Sequence, residues 1–319
     1  AGNKQGVRDT LHTGVTLSLL LGLLIMVLGI GLVPVALKWM HTPADCLDMA
    51  SLYVRVYFAG ALASMLYNME AGLLRAMGDS QRPVISLIVA CLVNIVMDLV
   101  LVVGLKMGVA GAALATVISQ VVSAVMLLVV LLREKENPLE LSRLGIQPKL
   151  LRRILAIGVP AGLQLVMFDL SNTLIQSGIN SFGSTVMASW TAYTKTDALT
   201  WMVSGAFGVA ITTFVGQNYG AGRLDRVKKG TWVTLAMGLV YTLATGALLL
   251  LGQDAIMHLF TNDETVVFFG EAAMHWFCPF YFLLSILHGL AGAVRGTGAS
   301  VPPMVVLLVS LCLFRIVWI

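Results

Sequence analysis

The stretch Leu73-Leu74-Arg75-Ala76-Met77-Gly78-Asp79-Ser80-Gln81-Arg82-Pro83 returns later in the chain as Ala293-Val294-Arg295-Gly296-Thr297-Gly298-Ala299-Ser300-Val301-Pro302-Pro303. Both copies carry Arg-x-x-Gly-x-Ser-x-x-Pro between two long apolar runs. The flanks repeat as well. A Gly/basic stretch precedes each copy (Gly6 to Arg8; Gly220 to Lys229), followed by an apolar span and a Thr-Pro or Thr-Asn turn (Thr42-Pro43; Thr261-Asn262). The chain therefore reads as two related halves.

Composition sets the solvent. Of the 319 residues, 58% are hydrophobic and 11% charged, and the mean hydropathy is +0.90. Soluble domains carry about 25% charged residues. No water-soluble core of this length could hide so much apolar surface, so the surrounding medium is lipid. The expected fold class is an all-α polytopic membrane protein built from two related helical bundles. Such a chain reads first as a transporter, because alternating access needs two bundles that rock about a central site. Cys46, Cys91, Cys278 and Cys312 show neither a CxxC pair nor metal spacing and read as small buried hydrophobes. No basic run interleaved with aromatics points to nucleic acid. The first residue is Ala1 and no signal peptide is evident.

Windows of about 20 apolar residues give nine spans, at 12–37, 50–74, 84–105, 109–132, 154–176, 185–214, 231–252, 264–294 and 301–319. The one long polar connector, 133–153, divides an N-terminal lobe of four helices (1–132) from a C-terminal lobe of five (154–319). Basic residues alternate with the spans. One set of ends holds Lys4, Arg8, Arg75, Arg82, Arg133, Lys135, Arg143, Lys149, Arg152, Arg153, Arg223, Arg226, Lys228, Lys229 and Arg295; the other holds only Lys38 and Lys106. Positive residues stay inside, so the N-terminal segment and the connector are expected to be cytoplasmic. Trp39, Trp190 and Trp276 fall near outer ends and fit an aromatic belt.

Three stretches of the first half carry a family resemblance: Tyr67-Asn68-Met69-Glu70-Ala71-Gly72-Leu73-Leu74-Arg75-Ala76-Met77-Gly78-Asp79-Ser80, Asn94-Ile95-Val96-Met97-Asp98, and Gly108-Val109-Ala110-Gly111-Ala112-Ala113-Leu114-Ala115-Thr116. With Phe214-Val215-Gly216-Gln217-Asn218-Tyr219-Gly220-Ala221-Gly222 in the second half, the chain resembles the multidrug and toxic compound extrusion (MATE) transporters over essentially its whole length. The resemblance implies a bacterial inner-membrane exporter of drugs or metabolites driven by Na⁺ or H⁺, with twelve helices in two lobes. The nine spans would be the family's third to eleventh. Both lobes are then incomplete, and a segment that inserts but does not transport alone is expected.

Ionisable residues at membrane depth are functional candidates. Counting about 1.5 Å per residue, Asp98 lies about 21 Å from the cytoplasmic side, with Thr116 at a similar height on the next span. Asn94, four residues before Asp98, shares its helix face. A carboxylate, an amide and a hydroxyl offer hard oxygen ligands to Na⁺, or a carrier for a proton. The resemblance implies the same cation site, with a further Asp that has no counterpart in this sequence; packing of an Asp capped by Asn and Thr is the alternative. In the second half Asp169, Lys195, Glu271 and Arg315 fall at similar heights on four spans and are expected to pair as a buried network, or to form a coupling or substrate site. Glu70, beside Arg75, reads as a boundary residue that snorkels. Pro160 and Pro279 are expected to kink their helices.

The leading function is cation-coupled antiport of an amphipathic, cationic organic compound by a monomeric carrier. No cofactor beyond the coupling ion is implied. A lipid-linked oligosaccharide flippase of the same superfamily is the runner-up, disfavoured because acids match the deep bases. An enzyme is not expected, since neither HExxH nor GxSxG occurs.

Overall fold

The fold, a computed structural model, describes residues 4–39 and 44–314, and no strand occurs among them. Twelve α-helices follow in order: α1 (Lys4–Trp39), α2 (Ala44–Ala59), α3 (Ala61–Ala76), α4 (Gln81–Asp98), α5 (Gly108–Leu132), α6 (Pro148–Asn180), α7 (Ser184–Gly220), α8 (Leu224–Leu251), α9 (Gln253–His258), α10 (Glu264–Phe277), α11 (Phe282–Gly296) and α12 (Val301–Leu307). With α2 and α3 counted as one span, seven helical segments are long and apolar enough to cross a membrane. The pair α10/α11, bent by 48°, makes an eighth, and Val301–Ser310 is a shorter apolar helix. Large apolar side chains face outward along these spans: Leu23, Leu24, Val27, Leu28 and Leu32 on α1 are each about half exposed. An apolar exterior is what a bilayer demands.

The repeat is in register through the fold. Helices α1, α2, α3 and α4 recur as α8, α10, α11 and α12, and the starts Lys4, Ala44 and Gln81 and the end Ala76 recur at Leu224, Glu264, Val301 and Gly296. Each second-half number is 220 above its mate. Both halves break the same span, at Gly60 and at the short 3₁₀ turn Cys278–Phe280. Pro279 lies in the second break, where its missing N–H leaves a helical carbonyl without a donor. Helix α6 runs on through Pro160.

The repeated turn shows why its residues are there. Gly78 (φ +99°) and Gly298 (φ +92°) both take the left-handed conformation that ends α3 and α11. The next helix then starts in two different ways. In the first half Asp79 Oδ1 accepts from the N–H groups of Gln81 and Arg82, each at 3.1 Å. In the second half Ala299 replaces that Asp, and Pro302, the mate of Arg82, has no N–H that would need an acceptor.

The chain divides into two compact units, residues 2–152 and 153–319. The core of the first joins α1, α3 and α5 through Leu11, Val15, Ala71, Leu74, Leu127 and Leu131, with Leu139 from the connector. Helix α1 starts about two turns before the span read from hydropathy, and the connector folds back onto it. The N–H of Glu140 donates to His12 Nε2 at 3.1 Å, and that of Gln147 to Thr13 Oγ1 at 3.3 Å. Because Nε2 accepts, the His12 proton sits on Nδ1, which donates to the Arg8 carbonyl at 2.7 Å.

The structure also corrects the reading of Glu70. The residue does not snorkel. It is 0% exposed, and neither carboxyl oxygen has a hydrogen-bond partner among the described residues. A buried polar group without a partner costs about 1–3 kcal/mol. Glu70→Leu is therefore expected to raise the thermal midpoint of the purified protein in detergent. A lowered midpoint would show that the carboxyl is held by a partner and stabilises the unit.

In the second unit α7 packs along α8, α10 and α11, with Ala192, Tyr193, Met257, Val267, Met274, Cys278 and Tyr281 in the core. Where α7 meets α11 the backbones touch. A Cβ on Gly292 would lie 2.5 Å from the Gly208 carbonyl oxygen, and one on Gly296 2.7 Å from that of Thr212. Small residues allow this approach where lipid gives helices no hydrophobic drive to associate. Of the expected aromatic belt, Trp39 and Trp276 are largely exposed, whereas Trp190 packs against Tyr193 and Phe277.

Candidate functional site

In the first unit α4 and α5 run antiparallel. Ser86 Oγ donates to the Ser123 carbonyl at 3.0 Å, and Gly111 lies against the Leu101 backbone. These two fixed points place Thr116 between the levels of Asn94 and Asp98. Asn94 and Thr116 line one cavity of about 320 Å³, together with Ser64, Tyr67 and Asn68 of α3 and Ser119, Gln120 and Ser123 of α5. Oxygen donors thus surround it on three helices. Several hydroxyls are already committed: Thr116, Ser119 and Ser123 donate to carbonyls of their own helix at 3.0, 2.8 and 2.8 Å, which leaves their lone pairs for a ligand.

Asp98 is not part of that lining. It is the last residue of α4, half-buried, immediately before the π-helical turn Leu99–Gly104. Its carboxylate has no hydrogen bond or ion pair among the described residues. A π-turn widens a helix locally and often marks a functional position. The three candidates are therefore split: an amide and a hydroxyl share the cavity, and the acid stands one turn beyond it.

The second-half cluster does not assemble. No ion pair joins Asp169, Lys195 and Glu271, and Arg315 lies outside the described residues. Asp169 and Lys195 are exposed and Glu271 is partly so. Counting along a span gives height, not direction around the axis. Lys195 is two residues from the buried Tyr193, hence across the helix from the packed face.

The acid that is built into this unit is Asp197. Its Oδ2 accepts from Trp201 Nε1 at 2.7 Å, and Trp201 rests against Phe168 and His288. The pair is four residues apart on α7, the spacing of helix-surface neighbours, and that spacing was the available signal. Glu70 gave no such signal, because its burial comes from packing in the first unit that spacing does not encode.

The MatE family model matches residues 1–100 and 160–318. The chain belongs to the MatE family. "Probable multidrug resistance protein YpnP" of Bacillus subtilis is 29% identical over 281 residues, 88% of this chain and 62% of the relative. "Probable multidrug resistance protein YoeA" of the same organism is 26% identical over 318 residues, 96% of this chain and 68% of the relative. A solved MOP superfamily transporter from Pyrococcus furiosus superposes with a TM-score of 0.90 at 22% identity, covering 96% of this chain and 69% of that one. That likeness concerns the fold. The chain thus spans between three fifths and seven tenths of the length of each of these three proteins. It is a multi-pass membrane protein of a transporter family and not an enzyme. As a MatE protein it carries its polar cavity between α3, α4 and α5 and its half-buried acid–indole pair on α7.

Proposed function

We propose that the full-length transporter containing these two units exports amphipathic, cationic organic compounds from the bacterial cytoplasm by alternating access, in exchange for Na⁺ or H⁺. It works as a monomer in the inner membrane, with the Arg8 end of α1 and the 133–153 connector in the cytoplasm. The observation that carries the reading is the cavity shared by Asn94 and Thr116, one turn from the unpartnered carboxylate of Asp98. Hard oxygen donors beside a free carboxylate suit a small monovalent cation or a proton. The names of the relatives favour drug extrusion over a lipid-linked sugar flippase.

The test is transport of a fluorescent organic cation by the full-length protein in proteoliposomes, with Na⁺ and pH gradients imposed separately. Dye movement driven by one gradient and collapsed by its ionophore is the expected result. Movement indifferent to both gradients would overturn coupling. Orientation has its own test. Single cysteines in place of Lys106 and Arg143, in a background without native Cys, should label from opposite sides of intact cells, since basic residues mark the cytoplasmic ends. Labelling of both from outside would overturn the topology.

A further inference from the structure

A second polar cavity of the first unit lies between α1 and the connector. It holds about 180 Å³ and is lined by Arg8 and Asp9 of α1 and by Glu140 and Arg143 of the connector. That is room for several molecules the size of water, at about 30 Å³ each. The backbone bonds from Glu140 to His12 and from Gln147 to Thr13 fix the two walls against each other, so the cavity is preformed.

The charges in this lining are balanced but only half of them are paired. Arg143 Nε meets Glu140 Oε2 at 2.8 Å, and these two neutralise each other. Arg8 and Asp9 form no ion pair among the described residues. Consecutive residues of a helix do not face each other, so the two cannot close on one another. The Arg8 Nε is buried without a hydrogen-bond partner. Asp9 Oδ1 accepts only from the neutral amide of Gln5, at 2.9 Å. Leaving such groups unsatisfied is unfavourable, and a ligand with one negative and one positive end a short distance apart would satisfy both.

The surroundings say where that ligand comes from. Arg8 lies four residues, about 6 Å along the helix, before the apolar run that begins at residue 12. The connector presents Leu141 and Ile146 beside the cavity, 56% and 37% exposed. Charged groups at this level with apolar side chains next to them match the layering of a bilayer surface, headgroup above and acyl chain below.

We propose that the cavity between α1 and the connector binds the headgroup of a phospholipid with a primary amine, the phosphatidylethanolamine type, with its phosphate on Arg8 and its ammonium on Asp9. A guanidinium offers a phosphate two parallel N–H donors. The balanced lining selects against an anionic headgroup, which would leave Asp9 facing a negative ligand. It also selects against choline, whose quaternary nitrogen has no N–H to donate to the carboxylate. This site is independent of the Asn94 and Thr116 cavity and of any coupling ion.

The experiment melts the full-length transporter in detergent while short-chain phosphatidylethanolamine, phosphatidylglycerol or phosphatidylcholine is titrated in. Free phosphoethanolamine is added in a fourth series. Phosphatidylethanolamine should raise the thermal midpoint saturably, and the other three should not. Arg8→Gln and Asp9→Asn should each need at least about tenfold more lipid for the same shift, the effect of losing one charged hydrogen bond. Arg226→Gln, which removes an exposed basic residue of the second unit, should respond like the unaltered protein. Native mass spectrometry counts bound lipid directly and decides for any variant too unstable to melt. The proposal falls if the three lipids act alike, if phosphatidylglycerol acts more strongly, or if Arg8→Gln and Asp9→Asn bind as the unaltered protein does. A saturable response to free phosphoethanolamine equal to that of the lipid would overturn the membrane source and assign the cavity to a soluble ligand.

Discussion

On the proposed function, Asp98→Asn is expected to abolish gradient-driven export by the full-length protein and to leave membrane insertion and thermal stability unchanged. The side chain is partly open and makes no hydrogen bond or ion pair among the described residues, so the amide breaks nothing in the fold. What it removes is the charge. An Asn cannot release a proton, and it loses the electrostatic hold on Na⁺ beside Asn94 and Thr116. A ligand interaction with a charged group is worth about 1.5–3 kcal/mol, so ion affinity should fall by one to two orders of magnitude. Asn94→Ala and Thr116→Ala, which remove neutral donors, should weaken coupling by about tenfold or less on the same reasoning. The measurement is initial-rate transport in proteoliposomes against the ion gradient. A well-folded Asp98→Asn protein that exports normally would give Asp98 a packing role.

Gly292→Leu unfolds the second unit at markedly lower temperature. The position has no room: the new Cβ alone would meet the Gly208 carbonyl at 2.5 Å and Ile211 Cγ2 at 2.6 Å. Neither is the loose end of a long chain, so α7 and α11 must separate. Separation also breaks the bond from Thr212 Oγ1 to the Gly292 carbonyl at 3.0 Å. Overpacking of this kind costs about 3 kcal/mol, and the lost hydrogen bond adds about 1 kcal/mol. Gly205→Leu is the control, because nothing lies within 4 Å of its Cβ position. A thermal melt in detergent should separate the two variants clearly. Equal midpoints would mean that the α7–α11 seam yields without cost.

The fold was legible because two signals were long-range and redundant. Apolar spans about 20 residues long, and basic residues alternating between their ends, each constrain the same topology. The Arg-x-x-Gly-x-Ser-x-x-Pro turn then tied one half to the other. The site was legible only in height. Asn94 and Thr116 do share a cavity, since residues of neighbouring antiparallel helices at one depth have a fair chance of meeting. Asp169, Lys195 and Glu271 share a depth as well and do not meet, because direction around the helix axis depends on packing that spacing does not encode. Glu70 was misread for another reason. Its position near the end of a hydropathy window says nothing of packing, and in the fold it is wholly buried, next in the chain to the core residue Ala71.

The constant offset of 220 between the halves bears on which changes the chain can absorb. One residue added inside α3 or α11 would turn everything beyond it by about 100° and lift it 1.5 Å. Outward leucines would then swing inward and the seam glycines outward. Residue identity has drifted freely across the offset: Asp79 answers to Ala299, His12 to Trp232 and Glu70 to Leu290. The register of the helix starts at 4, 44 and 81 and of the α3 end at 76 has not. Over these stretches the inherited quantity is a ruler, and substitution is the only kind of variation that leaves its marks aligned.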